Sequence, residues 1–355
     1  MTTQMQKDFR ALCDLCDPSG FEDEVRAYIK ARLDELGVAS ETDVLGNLLV
    51  FFEAPGAKAT LLFEAHMDEV GFMVRGIGED GLLRFGCVGG IDPRVLCGKR
   101  VVMKGKDGMT LHGVIGSKPI HLQKGEERGR VTPLDALYID IGAKNKEDAL
   151  TYIGKGDYGT FDSPFETFGD PVKYKAKAID DRLGCAVMLY LIERIVKENI
   201  KMAHSVVFSF GVREEVGYSG ARTATYRVRP THAIALESTA VADIAGVPDH
   251  AKVADQGKGG ALSVADNGTI YDQGMIAFAQ RVAQKEGIPV QLKRYVSGGN
   301  NAKHMQQHVA GCRVLALSVP TRYIHSAACV ADGRDLDAIA DLSFAMMVNL
   351  ENEVK

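Results

Sequence analysis

The stretch Thr60-Leu61-Leu62-Phe63-Glu64-Ala65-His66-Met67-Asp68-Glu69 decides how the chain is read. It opens as a short apolar and β-branched run, the pattern of a strand buried on both faces, and ends on a histidine and two carboxylates. Sites in open α/β sheets form at the carboxyl edge of the strands. A His-x-Asp placed there is therefore a candidate for chemistry.

Four other segments put a histidine or carboxylate at the end of an expected strand. They are Ala178-Ile179-Asp180-Asp181-Arg182, Gly211-Val212-Arg213-Glu214-Glu215-Val216-Gly217, Ala235-Leu236-Glu237-Ser238 and Arg322-Tyr323-Ile324-His325-Ser326. Singly, each has an ordinary explanation. His66 reads equally as a satisfied core histidine, Asp180-Asp181 as an N-cap pair for the helix that follows, and Glu214-Glu215 as a solvated acidic turn. Together, two imidazoles and several carboxylates form a donor set suited to Zn²⁺, Co²⁺ or Mn²⁺.

Working outward, residues 9–36 carry apolar residues at helical spacing, broken at Asp17-Pro18-Ser19-Gly20 and resumed on the acidic turn Glu22-Asp23-Glu24. Two helices around a loop are expected, then a strand over 48–52. Residues 71–159 hold 18 of the 38 glycines and no convincing amphipathic helix. Short strand-like runs at 100–104 and 109–115, joined by Asp107-Gly108, read as a hairpin within an all-β insertion. From Lys175 onward, helices at 182–198, from 219, at 273–286 and from 336 alternate with strands at 205–210, 232–236, 290–293 and 314–319. The fold class expected is α/β, a sheet layered by helices, with a smaller all-β domain inserted.

At 355 residues the chain suits two folding units, and 46% apolar with 25% charged residues is ordinary globular composition. A formal charge of -5, from 42 basic and 47 acidic residues, leaves no electrostatic footprint for nucleic acid or an anionic membrane. No apolar run is long enough to cross a bilayer, and the first ten residues lack the apolar stretch of a signal peptide. Seven scattered cysteines read as reduced thiols, so a cytoplasmic protein is expected.

The ordered set Ser19-Gly20-Phe21-Glu22, Leu45-Gly46-Asn47, His66-x-Asp68, Asp180-Asp181-Arg182-x-Gly184, Glu214-Glu215-x-Gly217-x-x-Gly220 and Arg322-Tyr323-x-His325-Ser326 resembles the M42 metallo-aminopeptidases, the glutamyl and tetrahedral group. The resemblance implies a zinc-peptidase-like catalytic domain with a mixed sheet over residues 1–69 and 166–355, and a β-rich dimerisation domain over 70–165. It implies two divalent ions per chain, Zn²⁺ or Co²⁺ with Mn²⁺ also admitted. His66, Asp180 and Glu237 would hold one, and Asp180, Glu215 and His325 the other, with Asp180 bridging. A carboxylate so placed keeps two ions about 3.5 Å apart, where they share and activate one water. Glu214 would then be the general base, and Asp68 would fix the His66 imidazole through its other ring nitrogen.

The same resemblance implies peptide substrates and a homo-oligomer, a dimer through the insertion or a tetrahedral dodecamer. Two departures stand out: Glu237 occupies a position where the family usually has Asp, and Gly298-Gly299-Asn300-Asn301-Ala302, after Ser297, replaces Gly-Gly-Thr-Asp-Ala. A hydrolase of small N-acyl amides and a metal-impaired scaffold are the rival functions. A glycosidase is disfavoured, because adjacent Glu214 and Glu215 do not readily flank a sugar at the roughly 5–9 Å separation needed. Cys13-x-x-Cys16 has no second pair and reads as core packing. His304 and His308 lack the glutamate of a His-Glu-x-x-His site and read as a half-exposed helix face.

Overall fold

The computed structural model describes residues 3–350 apart from 171, 295, 297 and 309; Ser297 of the segment above thus lies outside the described residues. The first part of the chain comprises helices α1 (Thr3–Asp14) and α2 (Asp23–Glu35) and strands β1 (Glu41–Thr42), β2 (Leu48–Phe52) and β3 (Thr60–His66). Strands β4 (Gly71–Ile77), β5 (Leu83–Val88), β6 (Arg100–Lys104), β7 (Thr110–Gly116), β8 (Tyr138–Asp140) and β9 (Tyr158–Phe161) then close into an antiparallel barrel in the order β4-β5-β8-β7-β6-β9. The expected hairpin joins β6 to β7, with Asp107 and Gly108 at φ 54° and 75° as a primed turn requires. Two helices interrupt this stretch, contrary to the expectation of none: α3 (Gly125–Arg128) and α4 (Lys146–Tyr152). The second is only seven residues long, too short for a periodic signal, and its start is fixed by Asn145 accepting from the Asp148 N–H.

The chain then returns to the first sheet through β10 (Glu166–Phe168), β11 (Lys173–Ala176), α5 (Ile179–Lys197), β12 (Ser205–Gly211), α6 (Ser219–Val228) and β13 (His232–Ala240). Strands β14 (Gly260–Leu262) and β15 (Val290–Leu292) flank α7 (Gln273–Glu286), and α8 (Ala302–Met305), β16 (Arg313–Arg322), β17 (Cys329–Asp332) and α9 (Gly333–Asn349) complete it. The sheet has eleven strands, with β1-β2-β12-β3-β13-β16-β17-β11-β10 as its main path. Its centre, β12-β3-β13-β16, is parallel, while β2 and β17 join antiparallel. The result is the mixed sheet layered by helices plus a smaller β domain.

Each unit has its own apolar core. Phe63 stacks on Phe208 at 5.5 Å, and α5 packs across β3 and β13 with α1 and α9 against it. In the barrel, Phe72 meets the edges of Phe85 and Phe161 at 5.5 and 5.0 Å. A buried charge group ties the units together: Glu69, just before the barrel, accepts from Thr160 of β9 at 2.8 Å and pairs with Lys177 and Arg182 of the sheet domain. Arg182 is fully buried and also donates to the carbonyls of Leu12 and Asp17. Such a group is tolerated because almost every polar atom in it finds a partner.

Asp332, the last residue of β17, caps α9 by accepting the Arg334 N–H at 2.9 Å and also receives the Lys173 ammonium and the Arg334 guanidinium. Burial pushes its carboxyl up, but the hydrogen bonds from Arg334 and Lys173 more than offset this and draw it down to about 2. A depressed folded-state value contributes stability above the unfolded value of about 4 and loses it as pH falls. Urea unfolding of the wild type and Asp332→Asn should differ fully at pH 6 and converge as pH falls from about 4 toward 2. A difference that does not change with pH would show that the ion pairs contribute nothing.

Candidate metal centre

Because β12, β3, β13 and β16 run parallel and adjacent, their carboxyl ends come together on one edge. His66 is the last residue of β3, Glu214 and Glu215 follow β12, and His325 follows β16. Glu237 is an exception to the reading of acids at strand ends. Strand β13 continues to Ala240, four residues beyond the expected end, so Glu237 projects from within it. Asp180 comes from the irregular first turn of α5, where Asp180 and Asp181 depart from helical geometry.

All six of these side chains converge. His66 Nε2 lies 3.3 Å from Asp180 Oδ1, and His325 Nε2 lies 3.2 Å from Asp180 Oδ2, so one carboxylate presents an oxygen to each imidazole. Glu215 Oε1 is 3.0 Å from His325 Nε2, and Glu237 Oε2 is 3.9 Å from His66 Nε2. Donor atoms of His66, Asp180 and Glu215 fall within 4.8 Å of one another, as do those of His66, Glu214 and Glu237. Glu214 therefore stands among the donors, closer to them than the separate position expected of it.

Both rings are held from behind in the same way. His66 Nδ1 contacts the Asp68 carbonyl at 3.0 Å, and His325 Nδ1 contacts the Gly90 carbonyl at 2.7 Å. A backbone carbonyl only accepts, so each Nδ1 carries a proton and each Nε2 is turned toward the acids. Gly90 belongs to the barrel segment after β5, so the inserted domain orients one ring of the site.

Asp68 differs from its expected role. Its carboxylate lies 3.6 Å from His66 Nδ1, farther than its own carbonyl, and is turned toward backbone. Oδ1 and Oδ2 accept the N–H groups of Glu214 and Glu215 at 3.1 Å each, and the Ser19 hydroxyl donates to Oδ2 as well. Asp68 thus fixes the Glu214-Glu215 turn, while Ser19 of the Ser-Gly-Phe-Glu segment fixes Asp68. Glu22 completes the brace by accepting the Arg213 N–H. Asn47 accepts the Val212 N–H and donates to the Gly220 carbonyl, locking the turn to the start of α6. Only glycine fits at 220, where a Cβ would stand 2.2 Å from the Val212 carbonyl oxygen. Asp181 points away from the centre, bonding to the N–H groups of His66 and Gly184.

Burial raises the carboxyls of Glu214, Glu237 and Glu215. Asp180 is held below the usual carboxylate range against burial by the two histidines, and His325 is raised to about 11 against burial by Asp180 and Glu215. Oxygens Asp180 Oδ1, Glu215 Oε1 and Glu237 Oε1 have no hydrogen-bond partner. Buried acids crowded together with free oxygens, facing two ring nitrogens, fit a cation, and the oxygen and nitrogen donor set suits a divalent metal. Sequence reasoning missed Gly90, because a carbonyl has no side-chain signal. It also missed Glu64, fully buried on β3, which receives the Asn301 amide at 2.7 Å. Cys13 and Cys16 are buried free thiols, and α8 ends at Met305, so His304 and His308 do not share a helix.

A family model described as M42 glutamyl aminopeptidase matches residues 46–342. The structure of a TET aminopeptidase from a marine sediment archaeon of the Thaumarchaeota superposes with a TM-score of 0.94 at 32% identity, covering 98% of this chain and 96% of that one. The TET1 peptidase of Pyrococcus horikoshii, which can assemble into a tetrahedron or a large octahedral shell, gives 0.84 at 31% identity over 97% and 99%. The lysyl aminopeptidase of Pyrococcus furiosus is 30% identical over 337 residues, 94% of this chain and 92% of that protein. With both cores, the barrel and the site segments inside these matches, the chain belongs to the M42 family of aminopeptidases.

Proposed function

We propose that the protein is a dinuclear metallo-aminopeptidase that removes N-terminal residues from peptides, with its two ions held by His66, Asp180 and Glu237 and by Asp180, Glu215 and His325. The observation that carries this reading is Asp180, whose two oxygens face two imidazole Nε2 atoms that are both oriented by backbone carbonyls. Two divalent ions bound there, Zn²⁺ or Co²⁺ or else Mn²⁺, supply Lewis acidity to the scissile carbonyl and acidify the attacking water. The chain's own groups do the rest. Glu214, buried beside the donors and fixed through its N–H to Asp68, takes the water proton and passes it to the leaving amine. Glu237 reaches the cluster despite its extra methylene relative to aspartate, which favours a working enzyme over a metal-impaired scaffold.

Two further parts of the proposal are the assembly and the compartment. The barrel segment between β7 and β8 exposes Ile120, Leu122 and Val131, each more than half accessible, in a unit with a small core of its own. Relatives of this fold form closed assemblies, a dodecamer among them. We therefore assign residues 70–165 as the dimerisation domain. Among the described residues no helix is long and apolar enough to cross a membrane, and the seven free thiols agree with the cytoplasm.

The adjacent glutamates separate the roles. Glu214→Gln should keep about two equivalents of metal while turnover of an aminoacyl p-nitroanilide falls roughly 10²–10⁴-fold. Glu215→Gln should instead lose about one equivalent, with a rate that recovers on adding metal. Elemental analysis beside metal-titrated rates checks both, and the reverse pattern would exchange the assignments. Light scattering at micromolar concentration should return an oligomer; a species near the 38.4 kDa of one chain would refute the assembly.

A further inference from the structure

The turn that carries Glu214 and Glu215 ends on Tyr218, which stands at the N-cap of α6. The metal centre opens into a cavity of about 560 Å³, and Tyr218 lines it together with Asp180, Glu214, Glu215 and Glu237. Among the described residues of that wall it is the one phenol.

Its place is fixed by the backbone of the acidic turn itself. The Tyr218 N–H donates to the Arg213 carbonyl at 3.0 Å and to the Glu214 carbonyl at 3.2 Å, and its own carbonyl accepts from Arg222 within α6. These bonds hold a left-handed backbone, φ 62°, that a tyrosine adopts only where its surroundings impose it. The phenol is therefore carried on the same rigid segment as Glu214. Its ring packs on His304 with centroids 5.5 Å apart, and its oxygen lies beside Gly299, where a Cβ would stand 3.4 Å from it. Burial, Lys303 and Arg222 all draw His304 down, so a neutral imidazole backs the ring.

Among the described residues the Tyr218 hydroxyl has no hydrogen-bond partner. Buried Tyr271 differs, since its hydroxyl donates to Asp266 at 2.5 Å and accepts the Asn300 amide at 2.9 Å. Burial, followed by the charges of Glu214, Glu237 and Glu215, pushes the Tyr218 phenol up to about 12. It thus keeps its proton at neutral pH, and is an uncharged donor rather than a base. Two other donors of the wall are less available: Asn300 is committed to Tyr271 and to the Ala302 N–H, and the Ser238 Oγ is closed off from solvent.

In the proposed reaction, water loses a proton to Glu214 and its oxygen bonds to the scissile carbonyl carbon. The π pair of that carbonyl moves onto its oxygen, which gains a full negative charge. Donors already aimed at such an oxygen stabilise it without reorganising. We propose that Tyr218 is a further catalytic residue, whose phenolic O–H donates to the scissile carbonyl oxygen and strengthens that bond as the tetrahedral oxyanion forms. This rests on the aminopeptidase reading above and adds a group to its machinery. Losing one oxyanion donor costs roughly 10²–10³-fold in kcat where donors act alone; here divalent ions share the charge, so a loss of about 10–100-fold is expected.

The test compares metal-loaded wild type, Tyr218→Phe and Tyr218→Leu on an aminoacyl p-nitroanilide and on a tripeptide with the same first residue. Both variants should keep the wild-type metal content and a nearly unchanged KM, while kcat falls about 10–100-fold on both substrates. Calorimetry gives a readout apart from turnover. The 1-aminoalkylphosphonic acid of that first residue presents tetrahedral anionic oxygens and should bind each variant more weakly by about the factor lost in kcat; the matching alkylamine, which has no such oxygen, should bind as it does to wild type. Should one variant fail to fold, as judged by circular dichroism, the other carries the test through these two ligands. Wild-type kcat in Tyr218→Phe with a loss in Tyr218→Leu would give the ring a packing role and overturn the proposal. So would a loss confined to the tripeptide, which would move the contact to a later carbonyl, or an equal loss of phosphonate and amine binding, which would mark a general disturbance of the site. A metal-loaded wild type that cleaves neither substrate for any first residue overturns the aminopeptidase reading and this proposal with it.

Discussion

Asp180 is held between two imidazoles, and most of the surrounding structure serves to keep it there. Its two oxygens face His66 and His325, which arrive from β3 and from beyond β16, strands separated by β13. Neither ring is free to turn, because the Asp68 and Gly90 carbonyls hold their far nitrogens. One of those carbonyls belongs to the barrel segment. The inserted domain is therefore part of the site's geometry, and the buried Glu69 group joins barrel to sheet beneath it.

The site costs the fold stability. Burial raises Glu214, Glu215 and Glu237, so ionising them in a cation-free centre works against folding. Among the described residues no lysine or arginine pairs with them. The fold instead spends its cations one layer out, where Lys177 and Arg182 neutralise Glu69, and Arg182 staples α1 to the start of α5. Left-handed backbone at Arg213, Tyr218 and His325, uncommon for such residues, lies in the same region, with Arg213 held by Glu22 and His325 by Gly90 and Asp180.

Much of this was legible in the sequence, and the gaps have physical causes. The apolar runs of β2, β3, β12 and β16 and the periodicity of α7 announce themselves, because those elements are buried in regular ways. The sequence pattern ends β13 at Leu236 because Glu237, Ser238 and Thr239 look like the polar end of a strand, although β16 pairs with them through Ala240. Strands β10, β11, β14 and β17 are three or four residues long, and their pairing depends on distant partners. The convergence of six side chains could be suspected from strand ends, but the bracing could not. That Asp68 would serve two backbone N–H groups, or that a barrel carbonyl would orient His325, depends on contacts between residues far apart in sequence.

The departure at Asn301 becomes intelligible in this light. In the family pattern an aspartate is common there, and its absence in this chain looks at first like a lost acid. Yet Asn301 Nδ2 donates to Glu64 Oε2 at 2.7 Å, and Glu64 is fully buried on β3, two residues before His66. Burial pushes the Glu64 carboxyl to about 7, with the His66 charge and the Asn301 hydrogen bond acting against that rise. An aspartate at 301 would set a second carboxylate against the first in a site with no room to separate them, since even a Cβ on neighbouring Gly211 would fall 2.2 Å from Glu64 Oε1. Two buried like charges at such range repel strongly unless one is protonated. An amide has the same shape and offers a donor instead, so Glu64 and Asn301 form a matched pair: with a glutamate at 64, asparagine is the residue that satisfies it.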